Sequence, residues 1–424
     1  MILPCRIHQP RRLIDSVPLA WLFATFLLAP ITEAMGQYAA GSSEGTSTSG
    51  GRTVPLEITA GVDMGYDDHV IGGNATATTS SSGQSSFFAR ENVVLSYNRQ
   101  KERTELRLVA VGRFSQFFDV GTDDKDVNVT FSLAHNFSTR LSFYASVYAA
   151  YQTEPNFQSN VGPENVRAPH FDTNDIFSVT YHWLPRVSTV TSYTFERIKY
   201  EQSSSTTTSS AVGAAQDRFQ NTLAESLHFS LTSRTSLTAE YRFEVIDYDT
   251  APRDATIHFA LAGLDHHLTE HLTINVLGGP SFRFFKNDGS TINPYAQVKL
   301  GYQGSNHSLT WVTSYGVEQP SETLAAGATT LRTGLNATYR LTSRINSRAA
   351  VYYNHSDNQG TSGTGSAGSQ DALQFTLGLT YTIKKHFALH VDYEYSSLSS
   401  AGAQGGTQGG YSRNRYFAGL NYTY

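Results

Sequence analysis

Hydrophobic and polar residues alternate along most of the chain, and the pattern is clearest at its C-terminal end. Counted back in twos from the last residue, one set of positions in residues 411–424 is apolar and aromatic, and the other is mostly polar. Because successive side chains of a β-strand point to opposite faces of the sheet, this segment is predicted to be a strand with two unlike faces. The apolar set consists of Tyr416, Ala418, Leu420, Tyr422 and Tyr424.

Alternating segments of the same kind follow one another from Val54 to the end of the chain. Their repetition predicts an all-β protein of about 18 strands, within a range of about 16–18. The strands are predicted near residues 56–63, 87–99, 105–114, 126–136, 141–152, 174–184, 187–200, 217–231, 235–248, 255–267, 271–285, 291–303, 306–317, 329–341, 344–356, 369–383, 386–398 and 411–424.

The connections between these segments alternate between tight turns and longer stretches. The tight turns share an order of apolar residue, Ser or Thr, basic residue and apolar residue, as at 136–141 (NFSTRL) and 341–345 (LTSRI). Most of the other connections are long and rich in Gly, Ser and Thr, as at 201–216 and 399–410. Short exceptions lie near 119–125, 249–254 and 286–290. The pattern predicts hairpins whose tight turns all lie at one edge of a sheet.

A transmembrane β-barrel accounts for these features together. A β-propeller needs four short strands in each repeat, and a two-sheet sandwich does not explain why short and long connections alternate. In lipid every backbone N–H and C=O must be paired, which a closed sheet achieves without leaving an edge. Short periplasmic turns, long outer loops and an even strand number are typical of such barrels. We therefore predict a transmembrane antiparallel up-and-down β-barrel over residues 54–424, closed by pairing of the last strand with residues 56–62.

The N-terminal residues 1–36 are predicted to be a secretory signal peptide. A basic stretch precedes an apolar run at 19–28 that is too short to span a membrane. Residues 37–53 are rich in Gly, Ser and Thr and are predicted to be a flexible leader. The only cysteine, Cys5, precedes the apolar run, so the exported chain is predicted to contain none.

Composition and motifs narrow the function classes. Charged residues make up 16% of the chain and the net charge is −5, which gives no reason to expect a nucleic-acid partner. The mean hydropathy of −0.32 argues against a bundle of transmembrane helices. No glycine-rich phosphate loop opens a helix, and His266, His267 and His271 straddle a turn without the spacing of a metal site. We therefore predict no cofactor, no metal site and no enzymatic activity.

Charged side chains are predicted to face the lumen, because an Arg or Lys facing lipid at mid-depth costs roughly 2–4 kcal/mol. A barrel of this width cannot be filled by its own side chains, which favours an aqueous lumen. For single residues two interpretations stay open: a transverse field that gives weak ion selectivity, or pairs of opposite charge that hold the wall. The pore-lining candidates are Arg107, Arg113, Glu240, Arg242, Glu244, Arg283, Lys299, Arg332, Arg340, Arg348, Asp392, Glu394 and Arg415, with Glu196 as a further inward carboxylate.

Some residues do not fit the alternation. Glu91 and Glu225 fall on the apolar face in the predicted register, and we expect a bulge or a position at the rim to account for them. Gly278, Gly279 and Pro280 predict a bulge or a break in their strand.

The N-terminal signal segment, the repeated hairpins and the aromatic last strand resemble those of bacterial outer-membrane β-barrel proteins. Tyr416, Leu420, Tyr422 and Tyr424 resemble the terminal signal by which the barrel-assembly machinery recognises its clients. More narrowly, residues 54–424 are similar to the β-barrel porin type 2 group. The resemblance implies a location in the bacterial outer membrane, contact with its lipid and assembly by that machinery. It implies no catalytic residues.

The predicted function is passive diffusion of small hydrophilic solutes or ions through a polar lumen, as in a porin. The alternative is an outer-membrane conduit or anchor for an exported polysaccharide or an envelope complex, and an aromatic ladder in the lumen would favour a sugar path. A membrane-embedded hydrolase is a third class and needs a Ser/His/acid cluster on the outer rim. A homo-oligomer stays open, because no interface signal is readable. The ladder candidates are Tyr144, Tyr148, Phe285, Tyr295 and Phe417.

Overall fold

The computed structural model describes residues 55–70, 84–153, 169–201, 216–250, 253–286, 289–318, 325–360, 368–401 and 407–424. Within these ranges the chain forms eighteen β-strands, and no helix there has the length and hydrophobicity that crossing a membrane requires. The predicted signal peptide and leader lie outside the described residues. The strands are β1 (Leu56–Val70), β2 (Gln84–Lys101), β3 (Thr104–Phe117), β4 (Thr122–Asn136), β5 (Leu141–Gln152), β6 (His170–Leu184), β7 (Val187–Tyr200), β8 (Arg218–Ser230), β9 (Thr235–Tyr248), β10 (Ala255–His267), β11 (Leu272–Phe285), β12 (Ser290–Gln303), β13 (His307–Glu318), β14 (Ala325–Arg340), β15 (Ile345–Gly360), β16 (Ser369–Lys384), β17 (Phe387–Ala401) and β18 (Thr407–Thr423).

All of these strands belong to one antiparallel sheet that closes on itself. Each strand pairs with its neighbours in sequence, and β1 pairs with both β2 and β18. The closing pair runs without a register shift from Thr59 opposite Thr423 to Asp67 opposite Arg415. The predicted up-and-down barrel and its closure by the last strand are confirmed.

The two faces of the closed sheet differ in exposure and in chemistry. On β1, Val62 and Met64 are 56% and 66% exposed, whereas Asp63 and Asp67 are 1% and 0% exposed. The convex face of a barrel is open and its concave face is crowded, so the exposed apolar set faces outward and the buried polar set faces inward. This arrangement suits a barrel in lipid, whose outer band is apolar and whose interior is polar.

β15 continues to Gly360 rather than ending near 356, and β14 begins at Ala325 rather than near 329. The added residues, such as those at 357–360 (DNQG), are polar or small at successive positions. No alternation therefore marks them as strand.

Glu91 and Glu225 lie on the outer face, and no bulge accounts for either. Glu91 is opposite Val62 with no register shift beside the pair. Glu225 is opposite Thr191 and Tyr241, and Thr191 Oγ1 donates a hydrogen bond to it at 2.5 Å. Both residues also lie well inside their strands, so the expectation of a bulge or a rim position is wrong. At Glu225 a neighbouring hydroxyl satisfies part of the carboxylate on the outer surface.

The segment Gly278-Gly279-Pro280 interrupts pairing on one side only. Its register with β12 is continuous, whereas its pairing with β10 stops for a short stretch. A Cβ at Gly279 would collide with Ala260 O, so glycine is needed where the two backbones approach this closely. The prediction of a break is confirmed, and the break adds no residue to either strand.

The closing pair can be tested with engineered cysteines, because the predicted exported chain contains none. The hydroxyl oxygens of Thr59 and Thr423 are 2.9 Å apart, so we expect the pair T59C/T423C to form a disulfide in the folded barrel. Non-reducing electrophoresis of the heated protein would show a nearly circular chain with altered mobility.

The matched control is T59C/N421C, whose second cysteine lies two residues away on the same face. Such diagonal neighbours are about 7–8 Å apart, and we expect little cross-linking. Equal cross-linking of both pairs would contradict the closing register.

Candidate functional site

The charged residues predicted to line the lumen all lie on the inner face. Residues directly opposite each other on neighbouring strands share a face, and one such row joins Arg348, Gly378, Asp392 and Phe417. The same rule places the other candidates on this face, while their part in conduction stays a prediction. They are Arg107, Arg113, Glu196, Glu240, Arg242, Glu244, Arg283, Lys299, Arg332, Arg340, Glu394 and Arg415.

An ion-pair network crosses the seam where the last strand closes the barrel. Asp63 on β1 accepts a hydrogen bond from Arg90 Nε at 2.8 Å. Its other carboxylate oxygen lies 2.9 Å from His390 Nε2. Because Arg90 belongs to β2 and His390 belongs to β17, one buried carboxylate links strands on both sides of the closing pair.

A second carboxylate lies nearer the loop end of the same seam. Asp67 accepts hydrogen bonds from Arg413 Nε on both of its oxygens, at 3.0 and 2.8 Å, and from Arg415 Nε at 3.2 Å. Arg415 in turn lies 3.6 Å from Glu394 on β17. The Asp67 side chain is fully buried and that of Arg413 nearly so. Removing either charge of such a pair leaves the other buried without compensation.

Glycines on the inner face make room for this network. A Cβ at Gly419 would collide with Asp63 Oδ1, and a Cβ at Gly378 would collide with Asp392 Oδ1 and with the Arg348 side chain. Arg348 and Asp392 form an ion pair at 2.7 Å. These charged side chains therefore lie over glycine backbone, close against the wall, rather than projecting across the lumen.

Half-way round the closed sheet, a cluster of aromatic and apolar side chains lies among the charged residues on the inner face of β9–β12. The Phe259 and Tyr295 rings are 5.4 Å apart, and the Arg242 guanidinium lies 5.3 and 5.4 Å from their centroids. Arg242 is also paired with Glu240 at 2.7 Å. The charge thus sits on an aromatic platform that stabilises it. The buried cluster around this platform consists of Ile246, Tyr248, Ile257, Phe259, Leu261 and Leu277.

Charges of opposite sign occupy different parts of the inner wall. From β4 to β10 the described inward charges are mostly carboxylates, although Arg218, Arg242 and the buried Arg253 also lie there. From β11 to β15 they are mostly cationic, and the described exception, Glu318, pairs with Arg332 at 2.5 Å. The described inner wall therefore has an acidic part and a basic part. The acidic arc consists of Asp124, Asp126, Asp172, Glu196, Glu240, Glu244 and Asp265, and the basic arc of Arg283, Lys299, Arg332, Arg340 and Arg348.

Most of the paired residues of the seam are not among the residues predicted from the sequence to line the pore. They all occupy inward positions of their strands, so extending the alternation to every charged residue would have included them. Their mutual contacts depend on the register between strands that are distant in sequence. Alternation within one strand does not predict that register. These residues are Asp63, Asp67, Arg90, His390 and Arg413.

The histidines near the turn after β10 do not converge. His266 Nδ1 and Thr235 Oγ1 are hydrogen-bonded at 2.9 Å, whereas His271 lies in the turn itself and is exposed. In the part of the chain that the structure describes, no group of three or more His, Cys, Asp or Glu side chains is placed to hold a metal ion.

A titratable pair lies at the loop ends of β8 and β9, just outside the strands. Asp217 Oδ1 accepts a hydrogen bond from Tyr200 N at 2.7 Å, and Asp249 pairs with Arg197 at 2.5 Å. Burial, assisted by the nearby Asp249 charge, raises the pKa of Asp217 to about 6. The ionised form of Asp217 therefore lowers the stability of the barrel above that pH.

These features define a class of protein. A closed antiparallel barrel with an apolar outer face, a charged inner wall, tight turns at one edge and mostly long connections at the other is a porin-like β-barrel of the bacterial outer membrane. The model of the family described as "Putative beta-barrel porin 2" matches residues 62–424, and the chain belongs to this family. The description of the family is thus that of a porin.

Similarity to solved structures is weak. OpdQ of Pseudomonas aeruginosa is 10% identical over 87% of this chain and 97% of that chain, with a TM-score of 0.42. The outer membrane protein opdK of the same organism is 10% identical over 87% and 99%, with a TM-score of 0.40. The siderophore receptor PirA of that organism is 9% identical over 88% and 81%, with a TM-score of 0.39. No curated protein matches the chain.

The buried pair at the seam is expected to contribute far more stability than an exposed pair of the same type. Asp67→Asn removes the carboxylate that faces Arg413 and Arg415, and breaking a buried pair in this way costs about 3–5 kcal/mol. The control Asp249→Asn breaks the more exposed pair with Arg197 and is expected to cost less than about 1 kcal/mol. Urea unfolding in lipid vesicles, followed by tryptophan fluorescence, measures both losses, and equal losses would refute a special role for the seam.

The raised pKa of Asp217 makes stability depend on pH. The folded state binds this proton more tightly than the unfolded chain, so stability is highest below the ordinary pKa of 3.8 and falls as the pH rises through about 6. Asp217→Asn keeps an acceptor for Tyr200 N but cannot ionise. We expect the variant to unfold at higher urea than the parent above pH 6, and at the same urea below pH 3.8. A gain of equal size at both pH values would assign the effect to something other than ionisation.

Proposed function

We propose that the protein is a porin through which small hydrophilic solutes or ions diffuse passively across the outer membrane. The observation that carries this proposal is the charged inner wall, with its acidic arc and its basic arc. A wall of this kind favours a solute that keeps polar contacts during passage. It disfavours an apolar solute, which would have to displace water from charged groups without replacing their hydrogen bonds.

Selection would then have two components. The closed sheet fixes the circumference of the barrel and so limits the size of the solute. The transverse field between the acidic arc and the basic arc orients a solute that carries separated charges. Because both signs are present, a simple ion would be selected only weakly.

Two interpretations of the inward charges stayed open from the sequence: a field that gives weak ion selectivity, or pairs of opposite charge that hold the wall. We assign different residues to each. The seam residues Asp63 and Asp67 have close partners and are buried, which supports a role in holding the wall. Lys299 lies within the basic arc on a partly exposed stretch of β12, where a charge can act on a passing solute. The proposed selectivity therefore rests on the arcs rather than on the seam.

Inward aromatic side chains favour a second candidate, a conduit for a polysaccharide. All of the ladder candidates lie on the inner face: Tyr144, Tyr148, Phe285, Tyr295 and Phe417. Sugar rings stack on aromatic faces, and Tyr295, whose ring packs edge to face with Phe259, is partly exposed on this wall. Block of the ionic current by added oligosaccharide would distinguish this candidate from a porin for small solutes.

Planar lipid bilayers test conduction directly. The purified protein is expected to produce discrete open steps in the current, and the absence of steps from a correctly folded barrel would sink the porin proposal. In a potassium chloride gradient, Lys299→Gln is expected to move the reversal potential toward that of a more cation-selective pore, because it removes a cation of the basic arc.

The matched control is Lys125→Gln. Lys125 is exposed on the outer face, opposite Phe114, and its removal is expected to leave the reversal potential unchanged. A shift of equal size in both variants would show that the inner wall does not set the selectivity.

A further inference from the structure

The tight turns all end in structurally equivalent residues. The residue immediately before each odd-numbered strand from β3 to β17 is exposed, and at all but one of these positions it is Arg or His. The basic ring, as we call this set, consists of Arg103, Arg140, Arg186, Arg234, His271, Arg344 and His386, with Asn306 at the remaining position.

Backbone hydrogen bonds attach the basic ring to the edge of the sheet. Each ring residue precedes an odd-numbered strand, which pairs with the next strand along the chain. A backbone N–H at the C-terminal end of that next strand donates a hydrogen bond to the carbonyl oxygen of the ring residue. His182 N, for example, donates to Arg140 O at 2.9 Å, and Thr382 N donates to Arg344 O at 2.8 Å. The side chains of the ring therefore start from one level around the barrel rather than from free loops.

A Ser or Thr side chain shapes several of these turns. Thr342 Oγ1 accepts hydrogen bonds from Arg344 N at 3.2 Å and from Ile345 N at 3.0 Å. Ser138 and Thr269 make the equivalent pairs of bonds. The order Ser/Thr, any residue, basic residue is thus a turn motif, and its third position delivers a basic side chain to the same place each time.

Exposed apolar side chains stand beside most of the basic ring. Each lies three residues before a ring residue, at the end of the preceding strand or just after it. Large apolar and aromatic residues at this level of a barrel mark the boundary between bilayer and water. Since tight turns lie on the periplasmic side, the ring lies at the headgroup level of the periplasmic leaflet. The residues are Phe137, Trp183, Leu231, Leu268, Leu341 and Ile383.

The charge at this edge is strongly positive. Lys385 lies beside His386 in the last turn, and Lys384 ends the preceding strand. In these turns, all of which the structure describes, the acidic residues are Glu102 and Glu270. A positive surface held against a bilayer attracts anionic headgroups, and the arginine guanidinium matches phosphate with paired hydrogen bonds.

We propose that the basic ring binds the phosphate groups of anionic phospholipids in the periplasmic leaflet. An anionic periplasmic polymer could bind the same charges. The flanking apolar side chains favour lipid instead, because they hold the ring at the surface of the bilayer rather than out in the periplasm. The site lies at the rim of the barrel, so it does not depend on what passes through the lumen.

Native mass spectrometry of the full-length mature barrel with added phosphatidylglycerol or phosphatidylcholine measures the bound lipid. We expect the parent protein to retain phosphatidylglycerol in preference, and R140Q/R234Q/R344Q to bind it at least about tenfold more weakly. R140K/R234K/R344K keeps the charge and is expected to retain most of the binding.

The matched control is K125Q/K199Q/K286Q, which removes exposed cations at the opposite, loop-bearing edge and is expected to bind lipid like the parent. Circular dichroism and heat-dependent electrophoretic mobility verify the fold of each variant. The proposal is overturned if the folded Arg-to-Gln variant retains phosphatidylglycerol as the parent does, or if the control loses as much. Binding of the ring to isolated peptidoglycan, with no preference between the two lipids, would overturn it as well.

Discussion

Closure of the sheet is the constraint on which the rest of the structure depends. A backbone amide that faces lipid has no water to pair with, so the strands can cross the membrane only if the first and last of them pair as well. The closing strands come from opposite ends of the described barrel, and no short turn sets their register as it does in the hairpins. The closing register must therefore be specified by side chains.

The ion pairs at the seam meet this need. Asp63 reaches Arg90 and His390 in the observed register, and a slip of one residue would turn it to the outer face, where it has neither partner and meets lipid. The glycines opposite these side chains are needed for the same contacts, since a larger residue at Gly419 would occupy the position of the Asp63 carboxylate. The seam thus uses charge to specify the register of closure.

Alternation along the sequence was sufficient to predict the strands, their faces and the closing pair, because the outer band of a barrel must be apolar. Alternation did not predict the structure outside the apolar outer band. The loop-side ends of β14 and β15 lie where both faces carry polar or small residues, so their extent was underestimated. The partners of Asp67 were not predictable either, because Arg413 lies at the other end of the sequence and only the register of the closed sheet brings the two together.

The two edges of the barrel solve the same geometric problem in different ways. At the loop edge, the short connections before β4 and β12 contain Gly121 and Gly289 with positive φ, and the described residues contain no other backbone of this kind. In several turns at the other edge, a Ser or Thr oxygen takes the place of the left-handed glycine by accepting backbone N–H groups of the turn. A turn that depends on glycine has no side chain at that position. A turn that depends on a Ser or Thr oxygen allows the following positions to carry side chains. The repeated basic residue at that position is therefore an addition that turn geometry alone does not require.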